Sequence, residues 1–164
     1  MNKNESLTAL SQALKLEQEG RAFYLQAAEK TRDERGKALF LSLADDERLH
    51  AEMIQRQLHA VEGDGLYVPL PDVDVEAVDA GQELFPLDPP AMDEKLGRDP
   101  DDLQAIFLAL ENEIASYDLY RQAAVATEDR AGKTMYLWLA SAERTHFDLL
   151  MSNYESLVDR GSWV

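Results

Sequence analysis

Glu47-Arg48-Leu49-His50 and Glu143-Arg144-Thr145-His146 are two copies of a Glu-x-x-His motif, and the rest of the chain is organised around them. Residues three apart on an α-helix lie one turn apart on the same face, so each carboxylate points the same way as its imidazole. Both kinds of side chain can bind a metal ion. The chain has three histidines, and two of them stand in this motif. The motifs therefore indicate metal chemistry on two helices.

The composition narrows the class of protein. Eight Gly, six Pro and no Cys occur in 164 residues, and most of the Gly and Pro lie outside the periodic segments. This favours an all-α fold in a single domain, residues 1–164. The lack of Cys excludes disulfides, thiolate metal sites and cysteine nucleophiles. No apolar run approaches the roughly 20 residues of a membrane span, and the N-terminus lacks a signal-peptide layout, so a cytoplasmic protein is expected.

The net charge of −16 argues against binding to nucleic acid or to an anionic membrane. Residues 62–102 hold thirteen acidic and two basic side chains, a net charge of −11, which leaves −5 for the rest of the chain. One explanation is a connecting segment that stays solvated. The other is a segment that attracts cations towards a metal site. The acidic residues expected to do so are Asp72, Asp74, Glu76 and Asp79.

Four segments with apolar residues at helical spacing predict four helices. Between the second and third, residues 62–99 have no strong period, apart from a short helical turn around 92–96, and read as a long crossover. The predicted helices span residues 6–30, 34–61, 100–126 and 130–159.

Capping residues mark the ends of these helices. Asn4 or Ser6 is expected to cap the first helix, and Asp33 the second. Glycines are expected to end the second and fourth helices. They are Gly63, Gly65 and Gly161.

The two halves of the chain are copies of one unit. A shift of 96 residues places Leu14–His50 on Leu110–His146 without a gap, and 16 of these 37 positions are identical. The period is longer than that of solenoid repeats, so it indicates a duplicated helical hairpin.

The repeat selects the remaining carboxylates of the site. The first helix offers Glu17 and Glu19, and the third offers Glu111 and Glu113. Glu17 aligns with Glu113, whereas the other two align with residues that are not acidic. Glu17 also lies on the inward stripe of its helix, together with Arg21. We therefore select Glu17 and Glu113.

The spacing of these residues from the turns brings them to one level. Glu17 and Glu47 lie fifteen residues on either side of a turn near residue 32, and Glu113 and Glu143 lie fifteen from a turn near residue 128. At about 1.5 Å per residue, each pair stands roughly 22 Å from its turn. Six side chains should therefore converge at the middle of the bundle: Glu17, Glu47, His50, Glu113, Glu143 and His146.

Four carboxylates buried together would repel one another and raise one another's pKa. Two divalent cations cancel the four charges, and neutral imidazoles complete the coordination. A Glu from each of two helices and a Glu-x-x-His from each of the other two is the ligand set of a dimetal site in a four-helix bundle. Oxygen-rich ligands with two histidines suit iron or manganese better than structural zinc.

Tyr24 and Tyr120 lie two turns beyond Glu17 and Glu113 on the same stripes. They are either core aromatics or hydroxyl donors, each of which reaches a ligand carboxylate on another helix. The third histidine, His59, is expected at the surface.

These residues resemble the diiron domain of rubrerythrins, in the ferritin-like superfamily, over residues 6–60 and 100–158. The run EQEGRAFY, residues 17–24, resembles the first-helix signature of short rubrerythrin-like proteins without a rubredoxin domain. The resemblance implies a ferritin-like four-helix bundle of two antiparallel hairpins joined by a long crossover. It also implies two iron ions, bridged by Glu47 and Glu143 or by Glu17 and Glu113. His50 and His146 would then be terminal ligands.

The resemblance further implies redox chemistry with O2 or H2O2, of the kind used against oxidative stress. Two departures stand out. Without Cys, the chain needs an external electron donor, a protein or a small molecule. Rubrerythrins also carry an extra glutamate about one turn after the third-helix ligand, where this chain has Ser116 and Tyr117. That departure argues against peroxidase activity of the rubrerythrin type.

Other functions fit the same residues. The chain could bind and oxidise iron as a ferroxidase for storage or delivery, act as a manganese catalase with a Mn/Mn or Fe/Mn pair, or use the metals only to stabilise the bundle. A homodimer is expected because such bundles commonly dimerise, and Trp138 would contribute to an apolar outer patch.

Overall fold

The computed structural model describes residues 1–71 and 100–164, with side chains in the second range from residue 102. Every regular element in these residues is an α-helix, which confirms the predicted all-α four-helix bundle. The helices are α1 Lys3–Lys30, α2 Glu34–Asp64, α3 Pro100–Ala126 and α4 Arg130–Arg160. None of these described helices has a stretch long and apolar enough to cross a lipid bilayer.

The helices pair as the duplication predicts. α1 packs along α2 and α3 packs along α4, and the two hairpins meet through α1 and α3. Buried side chains from all four helices form the core between them. The predicted crossover begins inside α2 at residues 62–64, and from residue 72 to 99 it lies outside the described residues. The helical turn around 92–96 and the four acidic residues assigned to cation attraction fall in that range.

The start of α1 differs from the prediction. Asn2 is the N-cap: its side chain accepts a hydrogen bond from the Glu5 N–H (3.0 Å), and the Glu5 carboxylate accepts one from the Asn2 N–H (2.7 Å). This capping box satisfies two helix-end donors and extends α1 back to Lys3. The assignment of the cap to Asn4 or Ser6 was wrong, because the reciprocal Asn2–Glu5 pair forms one turn earlier.

The other helix ends follow the sequence more closely. Asp33 caps α2, as predicted, and its repeat counterpart Asp129 caps α4. Gly65 and Gly161 end α2 and α4 with φ angles of 74° and 64°, in the left-handed region that favours glycine. Gly63 lies inside α2 and ends nothing, because the required positive φ falls at Gly65 alone.

The stripe pattern placed one residue wrongly. Arg21 was assigned to the inward face of α1, but it is exposed, and Gly20 lies against the Glu47 carboxylate instead. A guanidinium in that position would be costly to bury. Trp163 lies beyond the end of α4, and it is buried at the end of the bundle. Its ring packs edge-on against Phe40, and its indole N–H donates to an Asp102 carboxylate oxygen at 3.2 Å.

Gly36 provides the space for this indole, and a methyl group there would overlap the ring of Trp163. Gly36→Ala is therefore expected to lower the free energy of unfolding by about 1–3 kcal/mol. Gly63→Ala is the matched control, since nothing lies within 4 Å of its added methyl, and alanine gains about 0.5–1 kcal/mol over glycine in a helix. Urea unfolding followed by circular dichroism measures both. A Gly36→Ala protein as stable as Gly63→Ala would contradict this packing.

Candidate metal centre

The six predicted ligand side chains meet in the middle of the bundle, and each helix contributes. α1 and α3 each carry one glutamate, and α2 and α4 each carry one Glu-x-x-His. Their exposed fractions lie between 1% and 5%, so the cluster is closed to bulk solvent. Its members are Glu17, Glu47, His50, Glu113, Glu143 and His146.

The cluster divides into two overlapping groups of four. One group contains Glu17 and His50, the other contains Glu113 and His146, and both contain Glu47 and Glu143. Within each group, one ligand atom from every residue lies within 4.8 Å of the others. This is the arrangement expected of two adjacent cation positions that share two carboxylates.

Both imidazoles direct Nδ1 at the carboxylates. His50 Nδ1 lies 3.1 Å from Glu17 Oε2 and 3.4 Å from Glu143 Oε1. His146 Nδ1 lies 3.5 Å from oxygens of both Glu47 and Glu113. The two rings stack, with centroids 5.6 Å apart and planes inclined by 21°. Each imidazole therefore presents a ligand nitrogen to its own group.

Three polar atoms in the cluster are buried without a hydrogen-bond partner: Glu113 Oε2, Glu143 Oε1 and His146 Nδ1. An unsatisfied buried polar atom costs about 1–3 kcal/mol, so three of them in one cluster call for an explanation. All three are metal-ligating atoms. A pair of divalent cations would satisfy them and cancel the charge, so the residues fit the dimetal centre that the sequence predicts.

The two tyrosines link the hairpins at the cluster. The Tyr24 hydroxyl on α1 donates to Glu113 Oε1 on α3, and the Tyr120 hydroxyl on α3 donates to Glu17 Oε1 on α1. Burial raises the pKa of both tyrosines well above the ordinary value, and the facing carboxylate raises it further. They therefore remain protonated donors. Of the two alternatives left by the sequence, these contacts favour hydroxyl groups that donate to the ligand carboxylates over purely apolar core aromatics.

In the metal-free cluster, burial and neighbouring charges shift the pKa values of the glutamates in different directions. Burial raises the pKa of Glu47 to about 10, and it raises that of Glu143 well above the ordinary value, with help from Glu113 and Glu17. Burial also acts to raise the pKa of Glu17, but hydrogen bonds with His50 and Glu47 outweigh it and leave the pKa lowered. Protons thus occupy part of the cluster when no cation is bound.

The stability of the metal-free protein is expected to fall as the pH rises from 5 to 9. Burial acts to lower the pKa of His146, but the carboxylates of Glu113 and Glu47, each 3.5 Å from Nδ1, outweigh it and raise the pKa from 6.5 to about 10. The pKa of Glu47 rises from 4.5 to about 10. The folded chain therefore holds both protons more tightly than the unfolded chain. Their stabilising effect is complete below the unfolded values and is lost as the pH rises towards 10.

Thermal melting in EDTA at pH 5, 7 and 9 measures this effect. The lowered pKa of Glu17 acts in the opposite sense, but only near and below pH 4.5, outside this range. Glu47→Gln is the informative variant, because an amide keeps the shape without titrating, and it should flatten the decline. A melting temperature that rises from pH 5 to 9 in EDTA would contradict the assignment.

A small cavity between α1 and α3 reaches the cluster. It has a volume of about 80 Å³ and touches Glu47, Glu113 and Glu143. That is room for a few water-sized molecules. Small residues keep it open: a methyl group on Gly20 would lie 3.3 Å from Glu47 Oε2, and Ser116 occupies the equivalent position on α3.

Two further contacts of the imidazoles were not predicted from the sequence. Asp46 Oδ2 lies 3.4 Å from His146 Nε2. Trp138, predicted to lie in an outer patch, is half-buried, and its ring meets the edge of His50 with centroids 5.3 Å apart. The only sign of the Asp46–His146 contact in the sequence is that Asp46 stands next to Glu47. It could not be used without knowing how the hairpins dock.

Known proteins support this assignment. A sequence model described as rubrerythrin matches residues 8–154. Among solved structures, "Hypothetical Protein Pfu-1136390-001" from Pyrococcus furiosus is similar, with a TM-score of 0.70 and 26% identity over 96% of this chain and 93% of that one. A search of curated proteins gives no match. The family match spans most of the chain and includes all six clustered side chains, so the chain belongs to the rubrerythrin family.

Proposed function

We propose that the chain holds two iron ions in this cluster and carries out redox chemistry on O2 or H2O2. The observation that carries the proposal is the pair of four-residue groups that share Glu47 and Glu143. Glu47 and Glu143, which belong to both groups, would bind both ions. Glu17 and His50 complete one position, and Glu113 and His146 complete the other.

Two ferrous ions together supply two electrons, the number that reduces one H2O2 and two protons to two waters. The chain contributes the surroundings. Four carboxylates balance the charge of two divalent cations, so that the dry core carries no net charge. The hydroxyls of Tyr24 and Tyr120 donate to Oε1 of Glu113 and of Glu17, respectively. These hydrogen bonds fix the direction of Oε2 in each carboxylate.

Two further features concern how the oxidant reaches the site and how the site regains electrons. The 80 Å³ cavity between α1 and α3 has room for molecules the size of O2 or H2O2. The chain has no Cys and so carries no thiolate electron-transfer centre. We propose that an external donor returns electrons to the site after each turnover.

Anaerobic reconstitution with Fe(II) tests this function. Addition of one H2O2 per chain should oxidise two Fe(II) and produce a visible absorption change, and O2 should be tested in parallel. Glu17→Gln should lose this response. Glu29→Gln, which removes the same charge from an exposed position on the same helix and away from the cavity, should retain it. If reconstituted wild-type protein shows no absorption change with either oxidant, the redox function is wrong.

A further inference from the structure

The two histidines of the cluster have different surroundings on the side away from the carboxylates. His146 Nε2 lies 3.4 Å from Asp46 Oδ2, which belongs to α2 of the other hairpin. His50 instead meets Trp138 of α4, at a ring-centroid distance of 5.3 Å and an interplanar angle of 83°. One imidazole therefore lies next to a carboxylate, and the other lies next to an indole.

The sequence repeat shows that this difference is built into the chain. The 96-residue shift that aligns the ligands places Ala142 at the position of Asp46, and Ser42 at the position of Trp138. Alanine has no carboxylate to offer His50, and serine has no ring to place on His146. The site is symmetric in its ligands and asymmetric in what stands behind them.

A carboxylate behind a metal-bound imidazole changes how that imidazole binds. It accepts the proton of the remote nitrogen, which fixes the tautomer and the ring orientation and makes the other nitrogen more basic. Here the remote nitrogen of His146 is Nε2, so Nδ1 faces the cluster as the ligand atom. An indole offers only a donor N–H and cannot accept that proton. His50 receives no equivalent support from Trp138.

We propose that Asp46 is a positioning residue that makes the two metal positions unequal. The ion held by Glu113 and His146 binds more tightly and fills first, and the ion held by Glu17 and His50 is the more easily exchanged. This inference rests on the proposed dimetal function. It extends that function by assigning an order of filling and a tight and a labile position.

Anaerobic titration with Co(II), followed by visible absorption and calorimetry, measures the two steps separately. Wild-type protein should bind two ions with dissociation constants at least about tenfold apart. Asp46→Ala, which reproduces the Ala142 of the repeat, should weaken the tighter step by about 10–100-fold. Asp45→Ala is the matched control: it removes the same charge one residue away, from a side chain that pairs with Arg48 on the outer surface.

Proton NMR of the Co(II)-loaded protein gives a second readout that a general loss of stability would not change. One of the two exchangeable imidazole N–H signals should shift, and exchange faster with water, in Asp46→Ala but not in Asp45→Ala. If wild-type protein binds two ions and Asp46→Ala weakens neither step more than Asp45→Ala, the inference is overturned and the dimetal function stands. If wild-type protein binds fewer than two ions, both are overturned.

Discussion

Replacement of Glu143 by glutamine is expected to remove both metal ions without weakening the metal-free fold. Glu143 belongs to both ligand groups and is only 1% exposed. Glutamine keeps the shape of the side chain but loses the negative charge that binds the cations. The loss of affinity should exceed the roughly 10–100-fold that is typical of residues behind the ligands. Metal content should fall from two ions per chain to below one.

The stability of the same variant should change in the opposite direction. Burial, Glu113 and Glu17 together raise the pKa of Glu143, which shows that its charged form is disfavoured in the metal-free core. The amide of glutamine cannot take on that charge, so the exchange removes a source of repulsion from the metal-free core. Metal-free Glu143→Gln should therefore unfold at the same urea concentration as wild-type protein or at a higher one.

Elemental analysis after gel filtration, and urea unfolding in EDTA, measure the two effects. Glu111→Gln is the control, because it removes the same charge from the exposed face of α3. It should retain two ions and change the free energy of unfolding by less than about 0.5 kcal/mol. Retention of two ions by Glu143→Gln would contradict the assignment of a shared ligand.

Metal loading should raise the melting temperature by about 10 °C. Binding to the folded state alone stabilises a protein by about 4 kcal/mol when the free ion exceeds its dissociation constant a thousandfold. In a chain of this size each kcal/mol corresponds to about 2–4 °C. Loading also satisfies the three unpaired atoms and removes the repulsion among the four carboxylates.

Calorimetry of protein in EDTA and of protein loaded with Fe(II) or Mn(II) without oxygen measures this shift. Excess EDTA added to the loaded protein should reverse it. The double variant His50→Ala/His146→Ala separates specific binding from general charge screening, since the acidic surface is unchanged and the shift should disappear. Equal melting temperatures with metal and with EDTA would mean that the cluster is not a metal site.

The sequence contained most of the site because the site repeats. The 96-residue shift chose Glu17 over Glu19 and Glu113 over Glu111, and the structure buries Glu17 and Glu113 while it leaves the other two exposed. Distance from the turns placed the glutamates at one level, since helical rise is constant. Both steps use only the geometry within a hairpin, which the chain itself fixes.

Features that depend on how the hairpins dock could not be predicted in this way. Asp46 reaches His146 across the bundle, and no spacing along α2 indicates that contact. The division of the six side chains into two groups also needed the docked arrangement, in which Glu47 and Glu143 are common to both groups. The burial of Trp163 could not be predicted for the same reason, because its partners Gly36 and Asp102 come from two different hairpins.

Anomalous diffraction from crystals soaked in Fe(II) without oxygen would locate the ions themselves. Two peaks should appear about 3.5–4 Å apart, as in other dimetal sites that share carboxylates. One peak should be coordinated by Glu17 and His50, the other by Glu113 and His146, with Glu47 and Glu143 between them. A single peak, or two peaks outside this cluster, would contradict the dimetal centre.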